Sequence, residues 1–214
     1  MIMLDEVSKS FGNHRAVHRV TLSIPDRAQI AILGPSGSGK TTLLRLIAGL
    51  EVPDRGTISM NGRIVSGPGI LVPPSQRRIG FVFQSSALWP HKTIAGNILF
   101  AMGSLPKKER EERLSALLER MGIVHIRERY PDQVSGGEAR RAALARALAS
   151  RPETLLCDEP LTNLDRPLRD DLLSLIAESS KNTGSCLLYV THDEYEAAKV
   201  AETILRFDNG TIVG

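Results

Sequence analysis

Residues 34–41 read GPSGSGKT and stand directly between an apolar run, QIAIL, and an amphipathic run, TLLRLIAGL. The spacing G-x-x-x-x-G-K-[ST] in a strand-turn-helix context is the chemistry of a phosphate cradle. Only residues without Cβ let successive backbone N–H groups close around phosphate oxygens. Gly34, Gly37 and Gly39 supply that freedom, and Pro35, Ser36, Ser38 and Thr42 complete the candidate loop. Lys40 would place a point charge on the outer phosphates, and the Thr41 hydroxyl would hold Mg²⁺. A helix starting here adds roughly half a positive charge at its N-terminus, which again favours an anion. A plain Gly/Ser turn with a surface lysine is the alternative, and the full match in this context disfavours it.

Two further segments carry chemistry. Residues 134–141, VSGGEARR, open an Ala-rich run that Pro152 stops. Ser135, Gly136 and Gly137 therefore form a second glycine-bearing helix start, physically another anion site. Ser135 with Glu138 three residues on also fits a capping box, and the two roles are compatible. Residues 154–160, TLLCDEP, are an apolar strand ending in two carboxylates. A strand end facing a phosphate loop is where Mg²⁺-linked chemistry belongs. Asp158 is the candidate for holding Mg²⁺ through a water, and Glu159 the candidate for orienting or deprotonating an attacking water.

Positioning these groups takes a modest number of elements. The runs QIAIL, IGFVF, TLLC and CLLYV are strongly apolar, as suits strands covered on both faces. Asn61-Gly62 and Asn209-Gly210 each sit between alternating segments and predict hairpins. The first part of the chain reads as short strands. Helices are expected after Lys40, over 105–121, 138–150 and 167–180. No Pro/Ser-rich linker, internal repeat or low-complexity segment interrupts the chain. The reading is therefore one domain: a core over 1–85 and 151–214, with a helical insertion over 86–150.

Composition narrows the function classes. The chain has 214 residues, 42% hydrophobic and 24% charged, enough for one good-sized core. Its net charge of +3 is dispersed through mixed-sign stretches such as KKEREER, with no basic stripe of the kind that tracks nucleic acid. No apolar run approaches the roughly 18 residues of a membrane span, so any membrane role comes through a partner. The N-terminus lacks a basic region followed by an apolar core, so a cytoplasmic location is expected. Cys157 and Cys186 lie in apolar strand-like runs and read as reduced, buried thiols.

With these segments together, the chain resembles the ATP-binding cassette (ABC) ATPases over essentially its whole length. Residues 34–41 are similar to the family's Walker A, VSGGE to its signature, LLCDE to its Walker B, and TNLD (162–165) to its D-loop. Gln84 in IGFVFQ resembles the Q-loop glutamine, His192 in YVTHDE the switch histidine, and Phe11 the aromatic that stacks on adenine. The fold implied is an α/β P-loop core with a mainly parallel sheet, an N-terminal antiparallel β part and an inserted helical subdomain. ATP and Mg²⁺ are the implied cofactors, with Lys40, Gln84, Glu159 and His192 catalytic and Thr41, Gln84 and Asp158 serving the metal. The resemblance also implies a head-to-tail pair, in which Ser135, Gly136, Gly137 and Glu138 of one copy cover ATP held by the other. Three positions depart from the pattern: Glu138 replaces the commoner glutamine, Asn163 a small residue, and Cys157 an aliphatic.

The stretch VPPSQRRIGFVFQSSALWPHKTIAGNILFAM looks most like cassettes of bacterial small-solute importers. That implies a membrane permease whose short cytoplasmic helix enters the groove after Gln84, a solute-binding protein, and attachment at the inner face of the membrane. Leu88, Trp89 and Pro90 would then face the partner; ordinary packing of the helical subdomain is the alternative for all three, and for Trp89 the two weigh equally. The chain ends at Gly214 just after the last hairpin, so a short or truncated cassette is expected. Exporter or lipoprotein-extraction cassettes, and ATPases of soluble cofactor-assembly complexes, stay open.

Overall fold

The computed structural model describes every residue except Ser104, Asn163 and Gly214. The D-loop position Asn163 thus lies outside the described residues. Two sheets organise the chain. The first pairs β1 (Ile2–Phe11), β2 (His14–Ile24), β4 (Arg55–Met60), β5 (Arg63–Gly67) and β6 (Ile70–Leu71) in the order β2-β1-β4-β5-β6, all antiparallel. The second has the order β11-β10-β3-β9-β8-β7. Its members are β3 (Gln29–Leu33), β7 (Ile79–Val82), β8 (Thr154–Asp158), β9 (Cys186–Thr191), β10 (Thr203–Asp208) and β11 (Thr211–Val213). Every pairing in it is parallel except the β10–β11 hairpin.

The continuous apolar runs become β3, β8 and β9, in which every residue is buried. A strand without alternation suits only a sheet covered on both faces. Both Asn-Gly pairs turn hairpins, with Asn61 and Asn209 at positive φ followed by glycines at φ 77 and 78. The N-terminal region differs from the short strands expected, because β1 and β2 run to 10 and 11 residues. They reach that length by bending. Register shifts break the β1–β2 pairing in three places, and Glu6 and Arg19 adopt positive φ there.

Helices α1 (Lys40–Ala48), α2 (Ile94–Phe100), α3 (Lys107–Arg120), α4 (Gly136–Ala149), α5 (Arg166–Thr183) and α6 (Glu194–Val200) complete the fold. Helix α4 starts two residues before the expected 138, because Ser135 caps it ahead of the two glycines. One apolar cluster joins α2, α3 and α4 to Leu155, Cys157, Leu187 and Tyr189 of the parallel sheet. Another joins α1 to both sheets through Leu43, Leu46, Ile47, Ile58 and Leu188. Cys157 and Cys186 are buried free thiols.

A buried cation locks α1 to its surroundings. Arg77 is 5% exposed and donates to the carbonyls of Leu46 and Ile47 at the C-terminal end of α1. It also donates to Val65, Val72 and the Ser66 hydroxyl. A cation suits the negative end of a helix. Burial lowers its pKa to about 10, which leaves it charged.

Candidate functional site

The loop between β3 and α1 is shaped by close backbone approaches. Gly37 and Gly39 have φ of 80 and 105, the left-handed region. A Cβ on Gly39 would lie 1.8 Å from the Ala16 carbonyl oxygen, and one on Gly34 would lie 2.0 Å from that of Phe207. Only glycine fits either place. Lys40 is buried, and its ammonium donates to the carbonyls of Gly34 at 2.8 Å and Pro35 at 2.7 Å. Burial lowers its pKa, while Glu159 and Asp158 oppose that shift. The buried Ser38 hydroxyl has no partner among the described residues.

The ends of β8 and β9 bring acids and a histidine to this loop. Thr41 Oγ1 donates to Asp158 Oδ1 at 2.8 Å. Burial raises the Asp158 pKa and neighbouring Glu159 adds to it, against the Thr41 bond and the charges of Arg45 and Lys40. Glu159 sits with one oxygen 3.7 Å from Lys40 Nζ and the other 3.2 Å from His192 Nδ1. Its φ of 43 is unusual for a residue with a Cβ. Its N–H donates to the Val190 carbonyl at 3.0 Å, and its own carbonyl accepts from Thr162 Oγ1 at 3.3 Å.

A cleft of about 370 Å³ gathers Phe11, Ser36, Gly37, Gly39, Lys40, Thr41, Thr42, Gln84 and Glu159. Phe11, 48% exposed, presents a ring at one wall. Gln84 follows β7 and is exposed toward the same space. His14 and Ala16 of β2 also line the cleft, and the sequence reading missed both. The available signal was the Phe11↔His14 pairing across the Gly12 turn, which places the two side by side.

Ser135, Gly136, Gly137 and Glu138 do not line this cleft. The Ser135 hydroxyl accepts from the Glu138 N–H, and the Glu138 carboxylate accepts from the Ser135 N–H and hydroxyl, both at 2.8 Å. Glu138 also meets His125 Nε2 at 2.7 Å. The Ser135 hydrogen bonds, chiefly that from its backbone, lower the Glu138 pKa to about 2, and His125 adds to the effect. A Cβ on Gly136 would meet open space.

Among the described residues, no group of three or more His, Cys, Asp or Glu could hold a metal by itself. The Thr41 hydroxyl and Asp158 carboxylate are hard oxygen donors. They fit Mg²⁺, which is held by one or two protein oxygens completed by phosphates and water. They do not fit zinc or iron.

Beyond Gln84 lies a groove of about 1080 Å³ walled by Phe81, Phe83, Trp89, Phe100 and Arg146, among others. Phe81 and Phe83 stack at 4.3 Å, Trp89 meets Phe100 edge-on at 4.4 Å, and Arg146 lies over Trp89 at 5.2 Å. Leu88 is half-buried and packs on one side against the helical cluster. No helix among the described residues is long and apolar enough to cross a membrane.

The profile of the family described as ABC transporter matches residues 17–162. The sulfate/thiosulfate import ATP-binding protein CysA of Vibrio cholerae is 43% identical, over 99% of this chain and 57% of that protein. The Fe(3+) ions import ATP-binding protein FbpC of Pseudomonas fluorescens is 44% identical, over 98% of this chain and 59% of its own. The trehalose/maltose import ATP-binding protein MalK of Thermococcus litoralis is 40% identical, over 99% and 58%. The chain thus spans under three-fifths of the length of these relatives. A dimeric post-hydrolysis structure of the ATP-binding cassette MJ0796, bound to ADP and Pi, superposes with a TM-score of 0.88 at 30% identity. That match covers 100% of this chain and 97% of the other.

Proposed function

The chain belongs to the ABC transporter family, and from that premise we propose that it is the ATP-hydrolysing subunit of a solute importer. The observation that carries the proposal is the cleft that joins Phe11, the phosphate loop, Gln84 and Glu159, with its lining residue Thr41 bonded to Asp158. In this reading the core comprises 1–85 and 151–214, and 86–150 is the helical subdomain.

Phe11 stacks the adenine, and the loop amides with Lys40 hold the β- and γ-phosphates. Thr41, Asp158 and Gln84 would hold Mg²⁺, which would neutralise phosphate charge when bound. Glu159 orients the attacking water and takes its proton. The water oxygen bonds to the γ-phosphorus as the bond to the β–γ bridging oxygen breaks, releasing ADP and phosphate. Lys40 and His192 flank Glu159, one at each of its carboxylate oxygens.

Ser135, Gly136 and Gly137 lie outside their own chain's cleft, which supports their use on the ATP of a second copy, as in a head-to-tail pair. Glu138 turns its carboxylate onto Ser135 and His125, so its negative charge is compensated within the chain. The aromatic groove beyond Gln84 is the proposed seat of a permease segment, with Trp89 in its wall. Import is proposed because CysA, FbpC and MalK are all named for import. They are named for three different solutes at similar identity, so the residues shared with them do not specify the solute.

The test is hydrolysis and pairing in one experiment. The purified chain should release phosphate from Mg-ATP, and Glu159→Gln should bind ATP, turn over far more slowly, and double in mass by light scattering. A chain that binds no ATP, or a Glu159→Gln variant that hydrolyses normally, would overturn the proposal.

A further inference from the structure

Arg140 lies in the second turn of α4 and has no carboxylate among its described partners. Its guanidinium donates instead to three backbone carbonyls on two separate segments. They are Gln84 after β7, Pro160 directly after Glu159, and Thr162 at 3.4 Å. Arginine alone among side chains offers five donors in a fixed planar fork, so one group can hold carbonyls approaching from several directions.

Two of those carbonyls adjoin groups of the cleft. Gln84 is itself a cleft residue, and Pro160 follows the residue whose φ is 43. A residue with a Cβ keeps such a conformation only where its surroundings over-determine it. Around Glu159 three holds do so. Its N–H is fixed to Val190, its carbonyl to the Thr162 hydroxyl, and the next carbonyl along to Arg140. Arg140 also takes the Thr162 carbonyl, so it grips the turn on both sides of the bond that Thr162 makes to Glu159.

We propose that Arg140 is a positioning residue that fixes the backbone of Glu159 and Gln84 from the helical subdomain, so that the signature helix sets the placement of the water-orienting carboxylate. This rests on the ATPase reading above. It adds a link within one chain between the helix that Ser135 caps and the acid that handles water. A shift of α4 is then felt at Glu159 without passing through bound nucleotide. Lys40, Thr41 and the glycines of the phosphate loop are not among Arg140's described partners, so the direct phosphate contacts stay in place without it.

The experiment compares the full chain with Arg140→Met, and with Arg140→Lys, which keeps the charge but can reach fewer carbonyls. Expected is a loss of roughly ten- to a hundredfold in kcat for Arg140→Met, since small misplacements of catalytic groups cost that much. KM for ATP should stay within about twofold. Arg140→Lys should fall between, and it carries the same measurement if Arg140→Met fails to fold. A staple that serves stability only would lower Tm and leave kcat unchanged.

The second arm adds Arg140→Met to Glu159→Gln under single-turnover conditions. Because Arg140 acts through Glu159, the further loss should be under about threefold. An unchanged kcat in Arg140→Met, or an equal fractional loss in both backgrounds, would overturn the inference alone. Absence of hydrolysis by the unaltered chain would overturn the ATPase reading and this inference with it.

Discussion

The Thr41 hydroxyl and the Asp158 carboxylate share a 2.8 Å hydrogen bond across 117 positions of sequence. It ties the first turn of α1 to the end of β8 and sets the two hard oxygen ligands side by side. Burial raises the Asp158 pKa, so the folded chain disfavours its charged form. By linkage, an acid whose folded pKa is raised contributes stability below its unfolded pKa, and that contribution is lost as pH rises. At neutral pH without nucleotide, Asp158→Asn should therefore keep or raise Tm. The same variant should lose about ten- to a hundredfold in Mg²⁺-dependent ATP affinity. Titration of an ATP analogue with and without Mg²⁺ checks this, and a variant that binds Mg-ATP normally would refute the ligand role.

Glu159→Gln should lose on the order of 10²–10⁴ in turnover, about 3–5 kcal/mol of transition-state stabilisation. Its ATP affinity should hold, because the phosphate loop and Phe11 are untouched. Phosphate release and nucleotide binding measured on one preparation separate the two.

Glu138 carries a strongly depressed carboxylate, with a pKa of about 2 set chiefly by the Ser135 hydrogen bonds. A folded pKa below the unfolded value contributes stability that is present above about pH 4.5 and lost as pH falls toward 2. Glu138→Ala should therefore flatten the acid limb of the stability curve in that window. Glu138→Gln, which can still accept from the Ser135 N–H, should change turnover less than about twofold. Denaturant melts between pH 2 and 7 test the first statement, and a steady-state assay tests the second.

Arg77→Met would strip the donors from the end of α1 and from the carbonyls of Val65 and Val72. Leaving such buried acceptors unpaired should cost about 2–4 kcal/mol, or roughly 5–15 °C in Tm. Thermal melts check it; a loss below about 1 kcal/mol would show that water replaces the guanidinium.

What the sequence disclosed follows from how far each device reaches. The phosphate loop, both Asn-Gly hairpins and the capping box at Ser135 are local, so residue type and spacing define them. The apolar runs of β3, β8 and β9 were legible for a related reason, because burial on both faces removes alternation. The bent length of β1 and β2 was not legible, since bulges at Glu6 and Arg19 depend on partners in other strands. Arg140 was invisible for the same cause: its acceptors are backbone carbonyls 20 to 56 positions away. Nothing in the type of those residues marks them as acceptors.

The two cysteines have a practical corollary. Both thiols are buried in adjacent strands, and burial raises their pKa, that of Cys186 to about 11. Reagents that attack thiolates should therefore pass over the native protein and mark it only once the parallel sheet opens. The wild-type chain is thus a silent background in which one cysteine introduced at the Trp89 groove, or beside Ser135, would be the sole labelled site. A spectroscopic ruler could be attached there without first removing any native residue.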